Sequence, residues 1–178
     1  EVIERPASVI KELLENSIDA GATRITVEIK DGGLTQIRVS DDGEGIPASQ
    51  VSQAFVHHAT SKLQSPEQLE AIKTLGFRGE ALPSIASVSC VEMITRINQA
   101  DAGFKVELKW GKHIGAGSHG CPQGTSIGVT GLFGNMPARR KFLRSTATEV
   151  NRTKELVARY ALAYPKIKFH FLVDGRKT

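Results

Sequence analysis

The sequence predicts an α+β fold in which a layer of helices packs on a mixed sheet as a two-layer sandwich. Three observations predict it: strand patterns arrive as hairpins, helical patterns are grouped between them, and 40% of the 178 residues are apolar. That apolar fraction suffices for a packed core. No apolar run approaches the ~20 residues of a membrane span, so we expect no membrane partner.

The first predicted elements are a helix over residues 6–20 and a hairpin of strands 23–30 and 34–41. Pro6 suits a first helical position and Gly21 ends the helix. The strands are predicted by apolar alternation of period two. The later predicted elements are short helices near 48–56, 66–75 and 80–87, strands 88–97, 104–110 and 125–132, a helix at 148–163 and a strand at 166–173.

Composition narrows the class of protein. The net charge of +4 and the pI near 9.2 are compatible with nucleic-acid or phosphate ligands but do not require them. Cys90 and Cys121 lack the spacing of a metal site or a disulfide framework, which favours a reducing, cytoplasmic compartment. The chain begins without Met and stops in a hairpin turn, so we expect residues 1–178 to be one domain, truncated at both ends.

The first helix carries an unusual polar face. Glu12, Glu15, Asn16 and Asp19 crowd into two turns. The 100° helical step places Glu12, Asn16 and Asp19 opposite the core stripe of the helix. That stripe consists of Ile10, Leu13, Leu14, Ser17 and Ile18. A solvated charged face is the ordinary explanation. Asn is unfavourable inside a helix, however, and Glu12 and Asn16 at i and i+4 pair a base with an oxygen donor for a metal ion. The residues alone leave both interpretations open.

The segment S-D-D-G-E-G-I-P, residues 40–47, has the chemistry of a ligand loop. Asp41 ends a predicted strand, where its carboxylate could accept the amino group of a heterocycle. Gly43 and Gly45 follow at once, and glycine lets a ligand approach the backbone closely. An ordinary acidic turn is the alternative.

Two further glycine-containing segments could contact a ligand. In L-G-F-R-G-E-A-L, residues 75–82, two glycines and Arg78 precede a predicted helix, and free amides at a helix start suit a phosphate. A flexible loop is the alternative. In G-T-S, residues 124–126, a hydroxyl could enter a pocket or simply cap the strand.

Common nucleotide motifs are absent from the sequence. Residues 115–120 match G-x-G-x-x-G, but Cys121-Pro122 follows instead of a helix, which excludes a Rossmann-type site. The dipeptide Gly111-Lys112 is followed by His113, so there is no Walker A motif. A nucleotide would therefore have to be held in another way.

The segment P-A-R-R-K-F-L-R, residues 137–144, is strongly basic. A solvated helix face is the favoured explanation, and a surface that contacts phosphates or another domain is the alternative. Its cations are Arg139, Arg140, Lys141 and Arg144.

Taken in order, five segments resemble the N-terminal ATPase of the MutL mismatch repair family over nearly the whole chain. They are E-L-L-E-N-S-I-D-A-G, D-D-G-E-G-I, H-A-T-S-K, G-F-R-G-E-A-L and G-T-S. That family belongs to a superfamily, called GHKL, with DNA gyrase B, HSP90 and histidine kinases. G-F-R-G-E-A-L and P-A-R-R-K-F-L are specific to MutL-type proteins. The resemblance implies a Bergerat-type ATP-binding fold.

The resemblance also implies a role for each site residue. Glu12 would be the general base for attack of water on the γ-phosphate, Asn16 the Mg²⁺ ligand and Asp41 the acceptor of the adenine amino group. Further nucleotide contacts are implied at Gly43, Gly45 and Thr125 in the base pocket and at Thr60, Ser61, Lys62, Gly76, Phe77, Arg78 and Gly79 in a lid over the phosphates.

The function implied is ATP binding and slow Mg²⁺-dependent hydrolysis that drive lid closure and dimerisation in DNA mismatch repair. Implied partners are ATP, weakly and nonspecifically bound DNA, the mismatch-recognition protein MutS and a second copy of the chain. In the family, a second domain supplies a lysine to the γ-phosphate. We expect that domain to lie outside residues 1–178, so weak ATP turnover is expected from these residues alone. The alternatives are another superfamily member, of topoisomerase or chaperone type, and a DNA-binding module with a vestigial pocket that uses residues 137–144.

Overall fold

A computed structural model describes residues 3–56 and 80–178. The described helices are α1 (Pro6–Asp19), α2 (Ala48–Val51), α3 (Ala81–Ser87), α4 (Pro137–Lys141) and α5 (Thr146–Ala163). The described strands are β1 (Arg24–Lys30), β2 (Gln36–Asp41), β3 (Cys90–Arg96), β4 (Gly103–Lys109), β5 (Lys112–His119), β6 (Gly124–Thr130), β7 (Lys168–Val173) and β8 (Arg176–Lys177).

The eight strands form one mixed sheet in the order β5-β4-β3-β6-β2-β1-β7-β8. β1 pairs antiparallel with β2 and parallel with β7, and every other neighbouring pair is antiparallel. The parallel pair arises because α5 returns the chain to the β1 edge before β7 begins. The predicted α+β architecture with a mixed sheet is confirmed.

The core lies between one face of the sheet and the helices. Along β1, Ile25, Val27 and Ile29 are buried and alternate with more exposed residues, as a strand covered on one side requires. Helices α1, α3 and α5 contact the sheet, and α5 also packs on α1. In the core stripe of α1, Ile10, Leu13 and Leu14 are fully buried, and Ile18 is partly buried.

The other face of the sheet carries a ladder of ion pairs. Arg38 on β2 lies 3.1 Å from Glu92 on β3, and Glu92 lies 3.0 Å from Lys105 on β4. Gly128 on β6 stands opposite Arg38, and a Cβ there would lie 3.1 Å from the guanidinium. Partly exposed charged side chains in ion pairs thus make this face of the sheet hydrophilic, while the helices cover the opposite face.

Most of the predicted elements that fall on described residues are confirmed, and the main differences are a divided helix and a missed edge strand. The predicted helix at 48–56 divides into α2 and a 3₁₀ turn at Gln53–Phe55. Strand β5 was missed, because this edge strand is largely exposed and its glycines break any apolar alternation. The G-x-G-x-x-G match lies mostly within that strand. The predicted helix at 66–75 lies outside the described residues.

Candidate nucleotide-binding site

The carboxylate of Asp41, at the end of β2, is the centre of a hydrogen-bond cluster. The Ser17 hydroxyl on α1 donates to its Oδ2 at 2.7 Å. The backbone amides of Gly43 and Thr125 donate to its Oδ1 at 2.9 Å and 3.2 Å. One side chain thereby joins the first helix, the loop after β2 and the neighbouring strand β6.

The loop after Asp41 is fastened closely to the end of α1. The amide of Glu44 donates to the carbonyl of Ala20 at 3.0 Å. A Cβ on Gly43 would lie 2.7 Å from that same carbonyl oxygen, so only glycine lets the loop approach so closely. Gly45 has φ of +75°, a left-handed conformation that also favours glycine. The glycines predicted as a ligand loop therefore have structural reasons of their own.

A pair of threonine hydroxyls lies beside this cluster. Thr95 on β3 and Thr125 on β6 face each other across the sheet, with their hydroxyl oxygens 2.9 Å apart. The Thr95 hydroxyl also accepts from the amide of Ile46 at 2.9 Å, which ties the glycine loop to β3. Thr95 is buried, so its contacts orient the Thr125 hydroxyl next to Asp41.

Burial raises the pKa of the Asp41 carboxyl, although the hydrogen bonds from Ser17, Gly43 and Thr125 lower it in part. A carboxylate offers about four lone-pair positions, and three described donors use three of them. The remaining capacity makes Asp41 a desolvated acceptor for one more donor. This arrangement suits a ligand N–H group rather than a negatively charged group.

The neighbouring Asp42 forms hydrogen bonds with the residues at the start of β1 instead of facing the candidate site. It accepts hydrogen bonds from the Thr23 hydroxyl at 2.6 Å, the Thr23 amide at 2.8 Å and the Arg24 amide at 2.8 Å. Burial by itself would raise its pKa, but these hydrogen bonds lower it overall. Asp42 therefore fixes the start of β1, and its lone pairs are directed toward the chain itself.

Glu12 and Asn16 lie one turn apart on α1, and the solvated-face interpretation is wrong for Glu12. Its exposed fraction is only 6%, and Asn16 is half-buried. The Lys11 ammonium lies 3.7 Å from the Glu12 carboxylate. A buried Glu beside a half-buried Asn supplies the oxygen donors that Mg²⁺ prefers.

The structure brings together part of the predicted site. Asp41, Gly43 and Thr125 share direct hydrogen bonds, and Gly45 lies in the same loop. Glu12 and Asn16 share α1 with Ser17, the partner of Asp41. The predicted lid residues lie outside the described residues: Thr60, Ser61, Lys62, Gly76, Phe77, Arg78 and Gly79.

The predicted basic segment divides into one anchored arginine and three exposed cations. The Arg139 guanidinium lies 5.6 Å from the centre of the Phe133 ring and donates to the carbonyl of Ile3 at 3.3 Å. Arg139 therefore holds α4 against the fold. The side chains that remain exposed are those of Arg140, Lys141, Phe142 and Arg144.

Sequence reasoning missed Ser17 and Thr95. Ser17 has the spacing of the core stripe of α1, and Thr95 lies in the predicted strand 88–97 outside any motif. Both are buried hydroxyls on faces otherwise filled by apolar residues. A buried hydroxyl requires a hydrogen-bond partner, so a polar residue at a core position was the available signal.

Comparison with known proteins places the chain in a family. The family of histidine kinase-, DNA gyrase B- and HSP90-like ATPases matches residues 3–118. The chain belongs to this ATPase family. It is 50% identical over 171 residues to the DNA mismatch repair protein MutL of Symbiobacterium thermophilum. It is 52% identical over 178 residues to MutL of Pelotomaculum thermopropionicum.

These matches cover 96% and 100% of the chain but only 27% and 29% of the two relatives. A solved structure of the Aquifex aeolicus MutL ATPase domain complexed with ADP is similar to this chain, with a TM-score of 0.79 and 38% identity. That similarity covers 99% of the chain and 63% of the Aquifex chain. The fold implied by the resemblance to the MutL family is thus confirmed. No helix within residues 3–56 and 80–178 has the length and apolar character needed to cross a membrane.

The raised pKa of Asp41 predicts that this residue lowers the stability of the folded chain at neutral pH. A carboxyl whose pKa is raised in the folded state favours folding while protonated, and this contribution is lost as the pH rises through that pKa. Asp41→Asn should therefore raise the melting temperature at pH 7, and the difference should shrink toward pH 4. Thermal unfolding of the nucleotide-free protein across this range measures it.

Asp42→Asn is the matched control, because the pKa of Asp42 is shifted in the opposite direction. Its ionised form is favoured by the fold, so this substitution should lower the melting temperature at pH 7. If Asp41→Asn also lowered the melting temperature, the prediction would be wrong. The hydrogen bonds of the Asp41 carboxylate would then stabilise the fold by more than its desolvation destabilises it.

Proposed function

We propose that the chain binds ATP and hydrolyses it slowly with Mg²⁺, as the ATPase domain of a DNA mismatch repair protein. The observation that carries the proposal is the half-buried Asp41 carboxylate, which has three donors and room for a fourth. Membership of the ATPase family and the similarity to MutL proteins support it independently.

Adenine is the base that fits a desolvated carboxylate at this position. Its exocyclic amino group would donate to Asp41, whereas guanine carries a carbonyl oxygen at the same ring position and would be repelled. The Thr125 hydroxyl and the backbone at Gly45 would complete the contact through water. The ADP bound by the Aquifex relative supports a nucleotide ligand.

Hydrolysis would depend on the polar face of α1. Phosphoryl transfer requires chiefly positioning and charge neutralisation around one oriented water molecule. Glu12 would orient that water and accept its proton as the oxygen attacks the γ-phosphate. Asn16 would hold Mg²⁺, whose charge when bound would offset that of the phosphates.

The remaining functions come from the resemblance to the MutL family. Residues 60–62 and 76–79 would form a lid over the phosphates, and lid closure would favour dimerisation and contact with MutS. We propose that residues 1–178 form one ATP-binding domain that works in the bacterial cytoplasm beside further domains of a longer protein. The MutL relatives, of which the chain spans just over a quarter, support this division.

The surface formed by Arg140, Lys141 and Arg144 favours DNA binding as an accompanying function. These cations are exposed around Phe142, whose exposed fraction is 85%. Cationic side chains of this kind contact the phosphates of DNA and do not distinguish one base sequence from another. A DNA-binding module with a vestigial pocket remains the competing function, and it requires that nucleotide does not bind.

Substitution of Glu12 tests the proposed general base. In the full-length protein, Glu12→Gln should reduce ATP turnover by about 100-fold or more, since general-base catalysis contributes about that much. The Kd for ATP should change less than about threefold, because Gln keeps the shape of the side chain. Steady-state turnover and calorimetry measure the two effects.

Glu28→Gln serves as the control, because Glu28 lies on the open face of the sheet. It should leave both quantities unchanged. Full turnover by the Glu12→Gln variant would refute the assignment. Failure of the wild-type protein to bind ATP would favour the vestigial pocket.

Removing the three exposed cations tests DNA contact. Arg140→Ala, Lys141→Ala and Arg144→Ala together should weaken DNA binding for all sequences and reduce the slope of log K against log salt by about 3. ATP affinity should not change. The matched control removes the same charge from another exposed surface, at Lys166, Lys168 and Arg176. Equal weakening by both triple variants would argue against a defined DNA surface.

A further inference from the structure

Three hydrogen-bonding groups converge on the buried hydroxyl of Thr95 on β3. The backbone amide of Ile46 donates to its Oγ1 at 2.9 Å, and its own proton is donated to the carbonyl of Gly124 at 3.1 Å. The hydroxyl oxygen of Thr125 lies 2.9 Å away. Only 1% of Thr95 is exposed, so its hydroxyl has to find its partners within the protein.

The numbers of protons and lone pairs assign a direction to the contact between the two threonines. A hydroxyl carries one proton and two lone pairs. The Gly124 carbonyl can only accept, so it takes the Thr95 proton. The Ile46 amide can only donate, so it occupies one lone pair of Thr95. The second lone pair is left for Thr125, whose hydroxyl must then be the donor if all three contacts are hydrogen bonds.

The direction of that bond decides what Thr125 offers to a ligand. Asp41, Thr125 and Thr95 are register partners across β2, β6 and β3, and paired residues direct their side chains to the same face of a sheet. With its proton directed at Thr95, the Thr125 hydroxyl presents two lone pairs and no donor. Thr125 and the Asp41 carboxylate beside it therefore both present acceptors to a ligand.

We propose that Thr95 is a positioning residue that sets base selectivity: by accepting the hydroxyl proton of Thr125, it keeps Thr125 an acceptor toward the base. The inference rests on the proposed function, in which Asp41 accepts the amino group of adenine. Two adjacent acceptors favour a 6-aminopurine nucleotide over a 6-oxopurine nucleotide. Without the Thr95 hydroxyl, the Thr125 proton is free to rotate and to donate into the pocket, where it would favour an oxo group.

Thr95→Val in the full-length protein tests the inference, because valine keeps the shape of the side chain and removes the hydroxyl. Calorimetry should show that the affinity for ATP falls about fivefold, as for a lost hydrogen bond between neutral groups. The affinity for inosine triphosphate, whose base carries an oxygen in place of the amino group, should stay within about twofold of its wild-type value. Equal weakening of both nucleotides would overturn the inference, since that is the result of a merely structural role.

Thr153→Val is the matched control. Thr153 on α5 is also fully buried, and its hydroxyl has no hydrogen-bond partner among residues 3–56 and 80–178. Its substitution should leave both affinities unchanged. Thr95→Ser, which keeps the hydroxyl, should hold the selectivity for ATP within about twofold of the wild-type value. Loss of selectivity in both Thr95 variants would overturn the inference.

The deciding comparison repeats Thr95→Val in a Thr125→Val background. If Thr95 acts through the proton of Thr125, the substitution should change the affinity for ATP less than about 1.5-fold there, because such coupling appears as non-additivity. A fivefold loss in both backgrounds would overturn the inference. That result would assign the effect to the bonds of Thr95 with Ile46 and Gly124, which do not depend on the Thr125 hydroxyl.

Neutron diffraction from deuterated crystals of the nucleotide-free wild-type protein supplies a test that is independent of binding. The deuterium of the Thr125 hydroxyl should lie between the two threonine oxygens, and that of Thr95 should be directed at the Gly124 carbonyl. A Thr95 deuterium that is directed at Thr125 instead would overturn the inference.

Binding by the wild-type protein separates the possible failures. If it binds ATP and Thr95→Val keeps the full selectivity, the role of Thr95 alone fails. If it binds no ATP, the proposed function fails, and the selectivity role of Thr95 fails with it.

Discussion

The candidate site depends on one desolvated carboxylate, that of Asp41. It lies where β2 ends and accepts hydrogen bonds from α1, from the glycine loop and from β6. Burial raises the pKa of this carboxyl more than its hydrogen bonds lower it, as expected when three donors replace only part of the lost hydration. A partly desolvated acceptor of this kind is costly in the empty fold and is satisfied when a ligand supplies a further donor. Binding affinity and the stability of the empty domain are therefore opposed at this residue.

Helix α1 connects this acceptor with the proposed chemistry. Its leucines fill the core, its Ser17 hydroxyl holds Asp41, and its Glu12 carboxylate is buried on a polar face one turn from Asn16. α5 packs on α1 and supports that face through Tyr160. Base recognition and hydrolysis would thus share one rigid element, which limits how far either can shift without the other.

The sequence predicted elements whose signal is local. α1 has a proline at its start and a glycine after its end, and the β1–β2 hairpin follows a period of two, so both were found within one or two residues. Asp41, Gly43 and Gly45 form a candidate ligand loop in the sequence because an acid at a strand end is followed by two glycines, although an ordinary acidic turn has the same pattern. The structure adds that Thr125, which is distant in sequence, joins Asp41 and Gly43 in one cluster.

What the sequence could not predict depended on tertiary contacts. Helical angles alone did not choose between Glu12 and Glu15; in the structure Glu12 is the more buried, and Glu15 is the partner of Tyr160. Ser17 matched the core stripe in spacing, and only the position of Asp41 shows why a hydroxyl stands there. Arg139 belonged to a basic run, yet its contacts with Phe133 and Ile3 separate it from its neighbours.

The most direct test of the central claim is a binding cycle between Asp41 and the amino group of adenine. Calorimetry would compare ATP with purine riboside triphosphate, which lacks that amino group, on the wild-type protein and on Asp41→Asn. Each single change should cost about 10–150-fold in affinity, as for a lost hydrogen bond to a charged group. The two losses should not add, because both remove the same contact. Fully additive losses, or equal affinity of the wild-type protein for both nucleotides, would contradict the claim.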